Sequence, residues 1–354
     1  MVRKKNARDK FKRIVIAFLA IILLSGIFLA YDFYHRFTDS NIDLPNDQHE
    51  GYLYIPTGTD YDQLLLIIEK SDQVKSIETF KWVASQLRLY RNIHPGRYKV
   101  NQGMSNLQLV RLLISGKQTP VRLTLNKFRT REQLVSYVSG KLELDSLTLI
   151  TALSDDVYLQ KYGFNPDNCM AMFLHSTHEF YWNTSLDKFL NRIVTHYTNY
   201  WNDNKQAKCR VLNLTPIEVS ILASIVEEES NVNDEKPTIA SVYLNRLAQD
   251  KLLQADPTVK FSLKRFELRR ILKSHTEIKS PYNTYLNKGL PPGPICTPSD
   301  ASIRSVLNPA NTDYLFFCAD PENPGRHLFA SDYNEHKKNA KRFHESLNDR
   351  QIFK

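Results

Sequence analysis

The stretch TPIEVSILASIVEEES, residues 215–230, predicts a helix with a defined start. Thr215 suits the N-cap, Pro216 the first helical position, and Glu218 at N3 the acidic half of a capping box. At 100° per residue, Ile217, Ile221, Leu222, Ile225 and Val226 share one broad apolar face. The three glutamates that follow separate by geometry. Glu229 lies four residues past Ile225, three past Val226 and seven past Leu222, which sets it mid-way across that face. Glu227 projects to the opposite side with Ser220 and Ser224, and Glu228 lies at the margin. A carboxyl at 229 therefore points inward at the negative end of the helix dipole, and both burial and dipole raise its pKa. Such a group holds a proton near neutral pH and can donate it, as a general acid must. The plainer alternative is a solvated helix end, with Glu229 beyond the last turn.

The surrounding chain narrows the class of protein. At 354 residues there is room for two or three modest domains. The net charge is +9, but residues 1–13, MVRKKNARDKFKR, hold seven Lys/Arg and one Asp, leaving only +3 for the rest. A nucleic-acid binder needs its basic patch in the folded part, so that class is disfavoured. Residues 14–30, IVIAFLAIILLSGIFLA, carry no charge and come near the shorter limit for a spanning helix, with Tyr31, Phe33 and Tyr34 at the far interface. The apolar run is long for a cleaved signal peptide and ends without a small-x-small site. An uncleaved, single-pass anchor over 14–31 in the inner (plasma) membrane is expected, with the basic tail cytoplasmic and everything beyond it exported. Cys169, Cys209, Cys296 and Cys318 contain no C-x-x-C pair. An exported location permits disulfides, and four cysteines allow three full pairings.

Residues 32–50 read as a polar linker. A compact unit over 51–118 follows: strand at 52–55, helix at 60–69, helix at 76–88, turn His94-Pro95-Gly96, strand at 97–100, and helix at 105–114 ended by Gly116. This order, with HPGRYKV and GMSNLQLVRLLISGK, resembles a LysM-like carbohydrate-binding module of βααβ form. The connecting region 119–205 opens with a strand at 121–125 and a helix capped by Thr130 with Gln133 at N3. Its segment MAMFLHSTHEFYWNTS offers His175, His178 and Glu179, but not the H-E-x-x-H spacing of a helical zinc site, so no metal and no cofactor is expected. Tyr181 and Trp182 suit core packing more than a sugar cleft.

Beyond a second apolar-periodic helix over 239–247 lies a proline-rich stretch with Pro281, Pro291, Pro292, Pro294 and Pro298. It cannot be regular structure for most of its length, and long ordered loops inside a domain tend to be functional. Tyr282 and Tyr285 offer apolar faces to sugar rings, while Asn283, Thr284 and Gln254 offer neutral groups for hydroxyl and N-acetyl substituents.

Taken together, ASIVEEES, LQADPTV, SPYNTY, GLPPGPICTPSDASI and HLFASDYNEH resemble the endolytic murein transglycosylases, the MltG-like or YceG-like family. The resemblance covers about residues 50–345 and is strongest over 215–345. It implies an α+β protein: an N-terminal transmembrane helix, the LysM-like module, and a mixed α+β catalytic domain over 206–354. It places the acid/base on the second glutamate of an A-S-I-V-E-K-E pattern, which is Glu229. Substrate contacts are expected from Glu227, Gln254, Asp256, Tyr282, Asn283 and Tyr285. The implied reaction is non-hydrolytic cleavage of the MurNAc-GlcNAc β-1,4 bond within nascent peptidoglycan strands, leaving 1,6-anhydro ends, in the company of cell-wall synthases. A muramidase using Glu229 with a second carboxylate such as Asp256, and a non-catalytic glycan-binding scaffold, are the alternatives. The middle region departs from the family pattern E-G-x-F-x-P-x-T-Y, having Met170-Ala171 and FLHSTHEF instead.

Overall fold

The computed structural model describes residues 2–45, 48–268 and 270–349 and is a mixed α+β structure in two compact units, Met1–Val121 with Tyr181–Asn183 and Arg122–Phe180 with Thr184–Lys354. Met1 of the basic tail, Asn46 and Asp47 of the expected linker, and residues 350–354 lie outside the described residues.

The first unit begins with α1 (Val2–Thr38). Within it, Lys10–Thr38 holds an 18-residue window of mean hydropathy 2.8 and is long and apolar enough to cross a membrane. Strands β1 (Glu50–Ile55) and β2 (Gly96–Asn101) pair antiparallel from Glu50↔Asn101 to Ile55↔Gly96. Between them run α2 (Tyr61–Lys70) and α3 (Ile77–Gln86), and α4 (Asn106–Ser115) follows. Asp60, Ser76 and Ser105 each cap a helix by accepting from the N3 backbone, relieving donors that the first turn leaves unpaired. Alternation along β1 and β2 sends Leu53, Ile55, Tyr98 and Val100 into a core with Leu64, Ile68, Phe80, Val83 and Leu109. Gly116 stops α4 at φ +63°, a left-handed turn that glycine adopts without a Cβ penalty.

The stretch expected as a polar linker is partly built into this core. Ile42 and Leu44 are buried, and Asn41 donates to the Ser76 carbonyl and to Asn106 Oδ1 while accepting from the Ser76 N–H. Two apolar side chains among many polar neighbours gave too weak a pattern to reveal a segment that pairs as isolated bridges, Ile42 with Val74 and Ser40 with Ser105.

The second unit contains β3 (Val121–Leu125) from Arg122 onward, α5 (Arg131–Ser139), α6 (Ser146–Ala152), α7 (Asp156–Gln160) and β4 (Ser176–Phe180), with β3 and β4 paired. Helices α8 (Leu186–Tyr200) and α9 (Asp203–Val211) lead to α10 (Pro216–Glu229). Then come α11 (Lys236–Ala248), α12 (Asp256–Leu263), α13 (Lys273–Thr276) and α14 (Asp300–Leu307). The chain closes with the antiparallel pair β5 (Phe316–Ala319) and β6 (His327–Ala330), then α15 (Tyr333–Asp349).

Helix α10 is the centre of this unit. Thr215 and Glu218 form the expected capping box, and α10 packs on α11, α12 and α14. Its second face is buried too: Ser220 and Ser224 are fully enclosed. The serines satisfy themselves on the Pro216 and Ile221 carbonyls, and Ser224 Oγ also accepts from the Ile295 N–H at 3.0 Å. Small polar residues thus let the proline-rich loop dock directly on the helix. Ile295, Cys296 and Thr297 of that loop are buried, and Thr297 Oγ1 bridges the Asn126 carbonyl and the Phe128 N–H. At Gly293 an added Cβ would lie 1.8 Å from the Asp167 carbonyl oxygen, so only glycine permits this approach.

Residues 169–172, where the family pattern is lost, form a buried 3₁₀ turn against α10. His175 Nε2 meets the Thr297 carbonyl at 2.9 Å, His178 bonds Ser176, and Glu179 points out to solvent. Among the described residues, no three metal-ligating side chains cluster. Trp182 packs edge-on against Tyr54, while Tyr181 is exposed. All four cysteines are free thiols, with Cys169, Cys209 and Cys296 buried.

Candidate active site

Helix α10 runs three glutamates into three different environments. Glu227 Oε2 accepts from Lys236 Nζ at 3.0 Å, from Ser299 Oγ at 2.5 Å and from Ser302 Oγ. Burial works against its charge, but these donors outweigh it and hold the carboxyl at about 2. Glu228 takes a two-pronged contact from Arg129, 3.0 Å on each oxygen, and a second cation from Lys127 at 2.9 Å. Burial again opposes ionisation, and the two cations again prevail, lowering its pKa.

Glu229, the last residue of α10, differs from both. Burial pushes its carboxyl up to about 7 against a single compensating hydrogen bond, from Tyr243 Oη to Oε1 at 2.5 Å. The charges of Asp256 and Glu228 push in the same direction as burial, while Lys260 pulls the other way. Glu229 is largely buried but not closed off, so it keeps access to the cleft.

That cleft consists of two cavities, about 220 and about 490 Å³, which share Glu228, Glu229, Pro257 and Lys260. The smaller is completed by groups such as Arg129, Asn231 and Phe266, the larger by Tyr243, Gln254, Asp256, Tyr285 and Phe317. A group attached at Glu229 would therefore have space on either side, as the bond inside a polymer requires.

Of the residues expected at the site, Glu229, Gln254, Asp256 and Tyr285 come together in the larger cavity. Asp256 opens α12, and its Oδ1 accepts from Tyr285 Oη at 2.6 Å. Burial raises the Asp256 pKa, opposed by that bond and by Lys260. Gln254 is exposed and held at φ +52°, a left-handed conformation that costs a non-glycine residue roughly 1–2 kcal/mol. The buried Arg246 sustains it, donating through Nη1 to Gln254 Oε1 and to the Leu252 and Leu253 carbonyls.

Three expected contacts are placed otherwise. Glu227 lines the smaller cavity, yet its Oε2 is committed to Lys236 and α14. Asn283 is fully buried, donating to the Thr276 and Ile278 carbonyls and accepting from the Tyr285 N–H. It shapes the loop and cannot meet a ligand, which corrects its expected place in the site. Tyr282 packs on Phe261 with ring centres 4.7 Å apart and lines a further cavity of about 190 Å³, beside Arg131 and Pro294, that shares Arg129 and Phe261 with the smaller one. Sequence reasoning missed Tyr243, Lys260 and the Lys127–Arg129–Glu228 cluster. Lys260 stands one turn after Asp256 on α12, so helical spacing held that signal. Tyr243 sits in an apolar run and reads as core.

A carboxylic acid poised near neutrality in a two-sided polar cleft is the arrangement of a general acid. The chain belongs to the YceG-like family, whose model matches residues 53–342. It is similar to the endolytic murein transglycosylase of Bacillus subtilis, 26% identical over 312 residues, covering 84% of this chain and 85% of that protein. The enzyme of the same name from Streptococcus pneumoniae is 26% identical over 367 residues, covering 93% of this chain and 65% of the relative. A crystal structure of a YceG-like protein from Listeria monocytogenes shares the fold, with a TM-score of 0.55 and 24% identity over 82% of this chain and 98% of that one.

Proposed function

We propose that this chain is a membrane-anchored endolytic lytic transglycosylase that cuts within peptidoglycan strands at the MurNAc-GlcNAc β-1,4 bond. Family membership and the names of the relatives support an enzyme of the lytic transglycosylase class acting on peptidoglycan. The observation that carries the chemistry is Glu229, at about 7, on the wall common to two cavities.

In this reading protonated Glu229 gives its proton to the glycosidic oxygen as the bond to muramic acid C1 breaks. The muramic acid C6 hydroxyl oxygen then bonds to C1, and its proton returns to the Glu229 carboxylate. No water is consumed, and one carboxyl does both transfers. Glycosidases that use water mostly need a second carboxyl group. The internal nucleophile removes the entropic cost of recruiting an external one. The fully ionised Glu227 and Glu228 are unsuited to the acid role.

The apolar part of α1 serves as the anchor, with the units beyond it exported. Residues 51–118 act as a LysM-like glycan-binding module, and the strands cut are those newly made by the cell-wall synthases, which limits their length. A hydrolytic alternative rests on one observation, that Asp256 shares the larger cavity with Glu229. Mass analysis of fragments released from glycan strands by the purified protein separates the two. Anhydro ends are expected, and reducing muramic acid ends would overturn the lytic reading.

A further inference from the structure

Two facts about Glu229 go beyond its acidity. Its Oε1 accepts from Tyr243 Oη at 2.5 Å, and among the described residues its Oε2 has no hydrogen-bond partner. Tyr243 is almost completely enclosed, 2% exposed, in the part of α11 that packs against α10. Its ring stands edge-on to Phe317 with centres 5.9 Å apart, which leaves the hydroxyl little freedom to turn elsewhere. Burial and the neighbouring Glu229 charge hold the phenol far above its ordinary pKa, so it stays a donor throughout the working range. A donor fixed on one oxygen of a carboxyl group decides where the acidic proton sits. Oε1 must remain the acceptor, so the proton belongs on Oε2.

We infer that Tyr243 is a positioning residue: it locks the Glu229 carboxyl plane through Oε1 and leaves Oε2 as the atom that gives and regains the proton. The assignment rests on Glu229 being the acid, as proposed above. When the proton leaves Oε2, negative charge spreads to Oε1 and the same hydrogen bond strengthens, because bonds to ionised acceptors are stronger. Tyr243 thus favours the anion that appears during bond breaking by acting through Glu229.

The test compares wild type with Tyr243→Phe on glycan strands across pH, with Glu229→Gln as the reference for the acid itself. Loss of the phenol removes a donor that lowers the Glu229 pKa. The alkaline limb of the kcat/KM profile is therefore expected to move to higher pH. We expect kcat to fall by about 10- to 100-fold, the range for a hydrogen bond to a charged group, with KM unchanged. A purely structural tyrosine would lower the amount of folded protein and leave the limb in place. Incorporation of 3-fluorotyrosine at 243 keeps the shape but strengthens the donor, so the limb is expected to move down; this measurement stands even where the phenylalanine variant fails to fold. An unmoved limb in both variants, with Glu229→Gln inactive, overturns the positioning role and leaves the acid intact. An active Glu229→Gln removes the acid and the positioning role together.

Discussion

Lys236 Nζ lies 3.0 Å from Glu227 Oε2, and both side chains are largely enclosed, 4% and 12% exposed. This pair joins the start of α11 to the end of α10, and through Ser299 and Ser302 the same oxygen binds the start of α14. Glu227 is thereby a structural anion two residues from a carboxyl held near neutrality. The difference between them is the number of donors each receives.

Glu227→Gln leaves the Lys236 ammonium enclosed without its counter-charge. Breaking such a pair from one side costs about 3–5 kcal/mol. The variant is expected to unfold earlier in urea by that order, and Lys236→Met in the same chain should recover much of the loss. The pH dependence has a definite sign. The depressed Glu227 pKa contributes stability that is present above about 4.5 and is lost as pH falls toward about 2. Wild type should therefore show acid destabilisation over that window, and the Glu227→Gln variant much less. Equal urea midpoints for wild type and variant at pH 7 would contradict the structural role.

Glu229→Gln should separate stability from function. The raised Glu229 pKa means that the native state keeps its proton between about 4.5 and about 7 while the unfolded chain has lost it. Native stability from this group is thus fully present below about 4.5 and declines as pH rises to about 7. Glutamine carries no such titration. The variant is expected to melt at a temperature close to wild type at pH 4.5 and above it at pH 8, while releasing no 1,6-anhydro product. Differential scanning calorimetry at the two pH values, beside a product assay, decides it; a variant less stable than wild type at pH 8 would contradict the buried-acid description.

The local signals in the sequence were strong where one helix explained itself. Thr215, Pro216 and Glu218 define the start of α10, and the spacing of Ile225, Val226 and Glu229 puts the carboxyl inward. Contacts between distant segments were not legible. Glu228 looked marginal because Arg129 and Lys127, about a hundred positions earlier, are invisible to helical periodicity. Asn283 reads as a sugar-binding amide until its three partners within a few residues show that the loop uses it up. Ser220 and Ser224 looked like a polar face, and only the docked Ile295–Thr297 segment explains why they are buried.

The orientation of the chain can be tested directly. Lys10–Thr38 contains an apolar run of near-spanning length over 14–30, and the seven positive charges of residues 1–13 precede that run. A reporter active only outside the cytoplasm, fused after Lys354, is expected to work. Signal from a cytoplasm-only reporter at that junction would reverse the topology.

Asp256 offers the sharpest discrimination between the lytic and hydrolytic readings. Its Oδ1 is held by Tyr285 Oη at 2.6 Å, and its charge is among the groups that raise the Glu229 pKa. In Asp256→Asn the amide oxygen can still accept from Tyr285, so the cavity wall should keep its shape, but the negative charge is gone. Glu229 then loses a proton more easily, and the alkaline limb of activity should move to lower pH. The product should remain 1,6-anhydro-terminated, with a rate loss of about tenfold or less at the new optimum, below the roughly 10²–10⁴-fold that removal of a required general base costs. A hydrolase that uses Asp256 to activate water predicts the larger loss at every pH, together with reducing ends from wild type. The two outcomes differ in size, in pH behaviour and in product. Collapse of activity without a shifted limb would therefore move the second carboxyl into the mechanism and end the single-acid account.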